Sequence, residues 1–156
     1  MRNFRSQYTN RIDAKGRISV PSSFRAVIAE GGWAGICCLR SPTDRAIDAY
    51  SQERLDKLTD MIEQHDPMSE KYRHLNIALN GGSWEIAFDS EGRIVLPEEL
   101  LHHARITEQA TFVGLGPYFQ IWEPESYAAR FEQAFQAIQA DPGMLHRRPE
   151  RVGEPK

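Results

Sequence analysis

Apolar and polar residues alternate over "SQYTNRI" (residues 6–12) and again over "SWEIAF" (83–88), the period of two that predicts a half-buried strand. Each stretch is followed by a break of small and charged residues, then by a short apolar run, "RISV" at 17–20 and "RIVL" at 93–96. A proline comes next. Pro21 and Pro97 stand where a helix can begin, because the first helical position has no use for an N–H, and "SSFRAVIAEGG" is expected to stop at Gly31. Two more strands close each copy: "GICCLR" and "AIDAYS" in the first, "ATFVGL" and "YFQIW" in the second. The apolar period then lengthens. A helix starting from a Ser51 cap puts Leu55, Leu58 and Ile62 on one face, and the helix after Trp122 carries Tyr127, Phe131, Phe135 and Ile138 at helical spacing. "SEKYRHLNIALNGG" reads as a further helix stopped by Asn80-Gly81-Gly82, making residues 51–80 a helical hairpin broken at Asp66-Pro67. The aromatic and Met positions of these helices are read as core. Beyond Pro142 no periodicity remains, and a disordered tail is expected.

The break between the first two strands is written twice. "DAKGRISVP" begins at Asp13 and "DSEGRIVLP" at Asp89, and the ungapped match extends from Ile12 and Phe88 through Pro21 and Pro97. Asp, two variable residues, Gly and Arg fit a three-residue hairpin connection, with Gly16 and Gly92 in the left-handed conformation that glycine adopts cheaply. Asp13 and Arg17, like Asp89 and Arg93, then flank the loop as neighbours. A lone D-x-x-x-R is usually no more than a surface ion pair of small value. Its repetition points to a shared architecture, since a hairpin too short to hold a core has to be buried against another copy.

Composition narrows the class. Apolar residues at 40% and charged residues at 26% suit a soluble globular protein of one or two domains. No long apolar run and no signal-like h-region are found, so no membrane partner and a cytoplasmic location are expected. The adjacent Cys37 and Cys38 would point to opposite faces of a strand, which excludes a disulfide framework or a C-x-x-C metal site. Charge changes the picture most. The net value is −3, yet Arg2, Arg5, Arg11, Lys15, Arg17 and Arg25 face only Asp13 in the first 25 residues, a local +5 that leaves −8 elsewhere.

Paired "D-x-x-G" turns loosely resemble those of aspartic proteases, where two carboxylates share a proton. Arg17 and Arg93 argue against such an enzyme, since a cation beside each carboxylate favours full ionisation and a shared-proton pair requires the opposite. His65, His74, His102, His103 and His146 form no metal or triad signature. No catalytic residue, cofactor, metal or small-molecule substrate is therefore expected.

The doubled D-x-x-G-R with its following proline, separated by a helical segment, resembles the MraZ family of bacterial transcription regulators over roughly residues 5–140. That resemblance implies an α+β fold of two SpoVT-AbrB modules, swapped-hairpin β-barrel units that pack as an intrachain pseudo-dimer. It places module 1 at 7–53, a helical connector at 54–82, module 2 at 83–126, a C-terminal helix at 127–140 and the tail at 141–156. It also implies closed rings of chains, nucleoid association, and binding of double-stranded promoter DNA at repeated guanine-containing elements. The genes controlled would be the division and cell-wall cluster, including the protein's own promoter, usually by repression. Carried over residue by residue, Arg11, Lys15 and Arg17 are the DNA-contacting positions of the first copy, and Arg93 is the one left in the second. Glu91 and Ala87 replace Lys15 and Arg11 there, and Glu98 and Glu99 follow the proline. Asp13, Gly16, Asp89 and Gly92 orient the two turns. The alternatives are an AbrB-like antitoxin or interaction module and a non-specific nucleoid architectural protein.

Overall fold

The two copies of the repeat exchange strands. In the computed structural model, which describes residues 3–146, strand β1 (Gln7–Arg11) pairs antiparallel with β7 (Gln109–Gly114) of the second copy. Reciprocally, β5 (Trp84–Ala87) pairs with β3 (Gly35–Arg40) of the first. Strands β4 (Ile47–Tyr50) and β8 (Phe119–Trp122) pair with each other and complete one sheet in the order β1-β7-β8-β4-β3-β5. The remaining strands, β2 (Arg17–Ser19) and β6 (Arg93–Val95), form a separate two-stranded ribbon with Ile18 opposite Ile94. The fold is α+β, as expected. The expected closed barrel is not formed: among the described residues the six-stranded sheet is open, with β1 and β5 at its edges. Six strands joined to a detached ribbon bury the apolar face without closing the hydrogen-bond circuit.

One face of the sheet packs against the ribbon, helix α1 (Ser22–Ala29) and helix α4 (Glu98–Ala104). Ile36, Cys38, Ile47, Ala49, Phe112, Phe119 and Ile121 from the sheet meet Ile18, Ile94, Phe24 and Leu100 there. The opposite face carries Cys37, Leu39 and Tyr50 against Leu55 and Ile62 of helix α2 (Gln52–Ile62) and Leu79. Cys37 and Cys38 thus lie in different clusters, both free thiols, as strand alternation requires. Ser51 caps α2 by accepting from the Arg54 N–H at 3.2 Å, and Ser69 caps helix α3 (Glu70–Leu75) by accepting from Tyr72. The helical hairpin is therefore broken where the sequence suggested. Its second helix ends differently, in a π turn over Asn76–Asn80 in which Gly81 N–H reaches back to the Asn76 carbonyl at 2.8 Å.

The chain divides into one unit ending at Pro124 and a second beginning at Glu125. Helix α5 (Pro124–Ala140) stacks Tyr127, Phe131 and Phe135 along itself, with ring centroids 6.2 and 6.1 Å apart, but Phe131 and Phe135, like Met61 and Met68, are exposed and not the core residues expected. A 3-10 turn at Pro142–Leu145 stands inside the expected tail, and residues 147–156, where the rest of that tail would lie, are outside the described residues.

The two copies meet in a buried polar network. Asp48 lies opposite Gln120 in the β4–β8 ladder; its Oδ1 accepts from Gln120 Nε2 at 2.8 Å and its Oδ2 from the Tyr50 hydroxyl at 3.0 Å. Trp122 Nε1 donates to Gln120 Oε1 at 2.8 Å. Burial pushes the Asp48 carboxyl above its usual range, although both donors oppose the shift. The folded protein therefore holds this proton at pH values where the unfolded chain has lost it. Its contribution is complete below the unfolded value and declines as pH rises through the raised folded one. Asp48→Asn keeps an acceptor for Gln120 and carries no charge. It is expected to flatten the fall in thermal midpoint above about pH 4. Thermal unfolding of both proteins across the acid range checks this, and parallel profiles would contradict it.

Candidate nucleic-acid interface

Both turns are built from the same few bonds. In the first, Asp13 N–H donates to the Arg17 carbonyl and Gly16 N–H to the Asp13 carbonyl, each at 2.9 Å, with Gly16 at φ 81°. Asp13 organises the loop with its side chain as well: Oδ1 accepts the backbone N–H groups of Lys15 and Arg17 at 2.9 Å, and Oδ2 accepts Arg17 Nε at 2.8 Å. The second turn repeats this, with Asp89 accepting from the Glu91 and Arg93 backbone and from Arg93 Nε, all at 2.9 Å, and Gly92 at φ 76°. The Arg17 N–H foremost holds the Asp13 carboxyl below the usual carboxylate range, and the Arg93 N–H does the same for Asp89. Each turn thus presents an arginine fixed at Nε by an ionised carboxylate. Backbone hydrogen bonds close the hairpins only at the turn, for beyond Asp13 strand β1 goes to β7 while β2 goes to β6.

What differs between the turns is what surrounds them. The ribbon is antiparallel, with Arg17 opposite Val95 and Ser19 opposite Arg93, so the turns leave it at opposite ends. At the first end Lys15 and Arg11 are exposed, Arg11 at the close of β1, and Arg17 is 32% exposed with no acceptor on its terminal nitrogens among the described residues. At the second end Arg93 Nη2 donates to Glu91 Oε2 at 3.2 Å, and Asp89 and then Glu91 hold the guanidinium above its ordinary value. Arg25 also belongs to this end. Its Nε donates to the Val20 carbonyl at 3.1 Å, and its Cδ, Nε and Cζ lie only 2.6–2.7 Å from where a Cβ on Gly92 would stand. Arg25 reads in sequence as part of the first copy's basic segment; the β2–β6 pairing carries α1 across to the second copy's turn.

Comparison with known proteins settles the family. The chain is 44% identical over 138 residues to "Transcriptional regulator MraZ" of Xanthobacter autotrophicus, covering 88% of both chains. It is 44% identical over 124 residues to the protein of the same name from Pelagibacter ubique, covering 80% of both. The chain belongs to the MraZ family. A family model described as "MraZ protein, putative antitoxin-like" matches residues 79–148, the stretch that holds the second turn and α5. The MraZ relatives are named as regulators, and the family is not one of enzymes. Among the described residues no His, Cys, Asp and Glu come together as a metal site, and no helix is long and apolar enough to cross a membrane.

The MraZ turn requires its glycines to different degrees. At Gly16 an added Cβ would meet nothing closer than Val95 Cγ1 at 3.9 Å, so the cost of a side chain there is the strained φ alone. At Gly92 the same strain is joined by collision with Arg25. Gly16→Val is expected to lower stability by about 1–3 kcal/mol and Gly92→Val by at least as much. Differential scanning calorimetry checks the pair, and an unchanged midpoint for both would contradict the left-handed turn.

Proposed function

We propose that this protein regulates transcription by binding double-stranded DNA through its first turn. Arg17, held at Nε by Asp13, keeps two terminal nitrogens that meet no acceptor among the described residues, a fork that matches guanine N7 and O6 in the major groove. Lys15 and Arg11 beside it suit phosphates. The observation that carries the reading is this asymmetry: two turns of one backbone shape, of which only the first leaves its cations without a neighbouring second carboxylate. The exchanged strands suit two AbrB-like swapped-hairpin modules joined as a pseudo-dimer, with the turns as their projecting tips. One basic tip binds weakly, and a closed ring of chains would multiply it through effective concentration. Phe131 and Phe135, 45% and 49% exposed on α5, are apolar surface suited to such assembly. The targets we assign are repeated guanine-containing elements before the division and cell-wall genes, including the protein's own promoter. There it would act as a repressor in the cytoplasm, on the nucleoid.

Binding to DNA from upstream of its own gene, compared with scrambled DNA over a range of salt, tests this. Preference for the native sequence is expected at every salt concentration, with affinity falling as salt rises. Equal binding to both would leave an architectural nucleoid protein, and co-purification with a small toxin would favour an antitoxin.

A further inference from the structure

We infer that Glu91 keeps the second turn off DNA and so sets how many contacts each chain makes; the inference rests on the reading of the first turn as a DNA contact. Shape does not distinguish the turns. Their glycines have φ 81° and 76°, and their arginines meet their aspartates at 2.8 and 2.9 Å. Chemistry does. Glu91 stands at the position equivalent to Lys15, 70% exposed, and its Oε2 accepts a hydrogen bond from Arg93 Nη2. With Nε already given to Asp89, the fork that would face a base edge has lost one of its remaining donors.

An exposed ion pair is weak, so this one is a mask that phosphate oxygens could displace. Displacing it would leave the Glu91 carboxylate free beside the DNA backbone, where like charge repels it. That repulsion keeps Arg93 from the DNA, so what removal of Glu91 adds is the contact that Arg93 then makes. The rest of the second turn is equipped for DNA. Arg25 lies over Gly92, so Arg25, Arg93 and Asp89 together carry +1, against +2 for Arg11, Lys15, Arg17 and Asp13 at the first end. Glu91 alone brings the second to zero. Neutralising one side chain should therefore give the chain a second basic tip at the other end of its ribbon.

The test measures affinity and salt dependence for native upstream DNA with Glu91→Gln, Glu91→Lys and the double variant Glu91→Gln/Arg93→Ala. Glu53→Gln, exposed on α2, which packs on the sheet face opposite the ribbon, controls for the loss of one negative charge. Glu91→Gln is expected to tighten binding about three- to tenfold and to steepen the salt slope by about one per chain engaged, with a larger change for Glu91→Lys. The gain should vanish in the double variant. A Glu91→Gln no different from Glu53→Gln, or a gain that survives loss of Arg93, would overturn the inference. Arg17→Ala measured alongside separates the two readings. If it binds poorly while Glu91→Gln shows no gain, this inference fails alone; if it binds normally and Glu91→Gln shows no gain, the first-turn reading fails with it.

Discussion

Phe119→Ala is expected to destabilise the protein by about 3–5 kcal/mol, a large fraction of the 5–15 kcal/mol that holds a typical domain together. Phe119 is fully buried on β8, with ring centroids 5.0 Å from Phe4, 4.9 Å from Phe24 and 6.1 Å from Phe112. These partners come from the N-terminal segment, from α1 of the first copy and from β7 of the second. Removing the ring opens a cavity at the point where the exchanged elements meet, and close-packed neighbours can relax into it only partly. Phe119→Leu keeps much of the volume and should cost markedly less. Val95→Ala, at a position 54% exposed, should stay within about 0.5 kcal/mol of the parent. Urea unfolding of the three variants checks the ranking, and a Phe119→Ala midpoint close to that of Val95→Ala would contradict an aromatic core shared by both copies.

Arg17→Ala should abolish or severely weaken sequence-specific DNA binding while leaving the fold intact. A bidentate base contact discriminates by about 1–3 kcal/mol, and in a symmetric assembly every chain loses it at once. The turn should survive. Asp13 Oδ1 still accepts the backbone N–H groups of residues 15 and 17, and the bond that is lost is a half-buried surface ion pair of modest value to stability. The depressed Asp13 carboxyl contributes above the ordinary carboxylate value and loses that contribution only as pH falls through its lowered one. The turn is therefore charged and ordered at neutral pH. Arg93→Ala, whose guanidinium is already shared between Asp89 and Glu91, should cost much less. Lys15→Ala should weaken native and scrambled DNA about equally and flatten the salt slope. Titrations of the three variants against native DNA give the comparison, and equal losses from Arg17→Ala and Arg93→Ala would show that both turns face DNA.

The turns were legible in the sequence because their chemistry is local. Asp, Gly and Arg at fixed spacing specify a loop whatever surrounds it, and Gly16 and Gly92 both have the positive φ that spacing implies. Strand and helix positions followed from periodicity in the same way. Strand partners did not, because a period of two says which face a residue takes and nothing about which strand lies beside it. That is why the parting of β1 from β2 beyond the turn, and the open sheet in place of a barrel, had to be seen. The place of Arg25 was hidden for the same reason, being set by the β2–β6 register. Asp48 and Gln120 were hidden differently. A polar residue within "AIDAYS" or "YFQIW" reads as the wet side of an alternating strand, and its burial becomes intelligible only when the two equivalent strands are found side by side. The π turn at Asn76–Asn80 has the same apolar spacing as the α-helix before it, so periodicity alone carried the helix through to Asn80.

Ala14 and Ser90 occupy equivalent positions in the two turns, and both are exposed. A photo-cross-linking residue at either one would report directly which tip lies against DNA, without removing any charge. With native upstream DNA at moderate salt, cross-links are expected from position 14 and only background from position 90. Equal yields from both positions, or a yield from 90 alone, would contradict the assignment of DNA contact to the first turn.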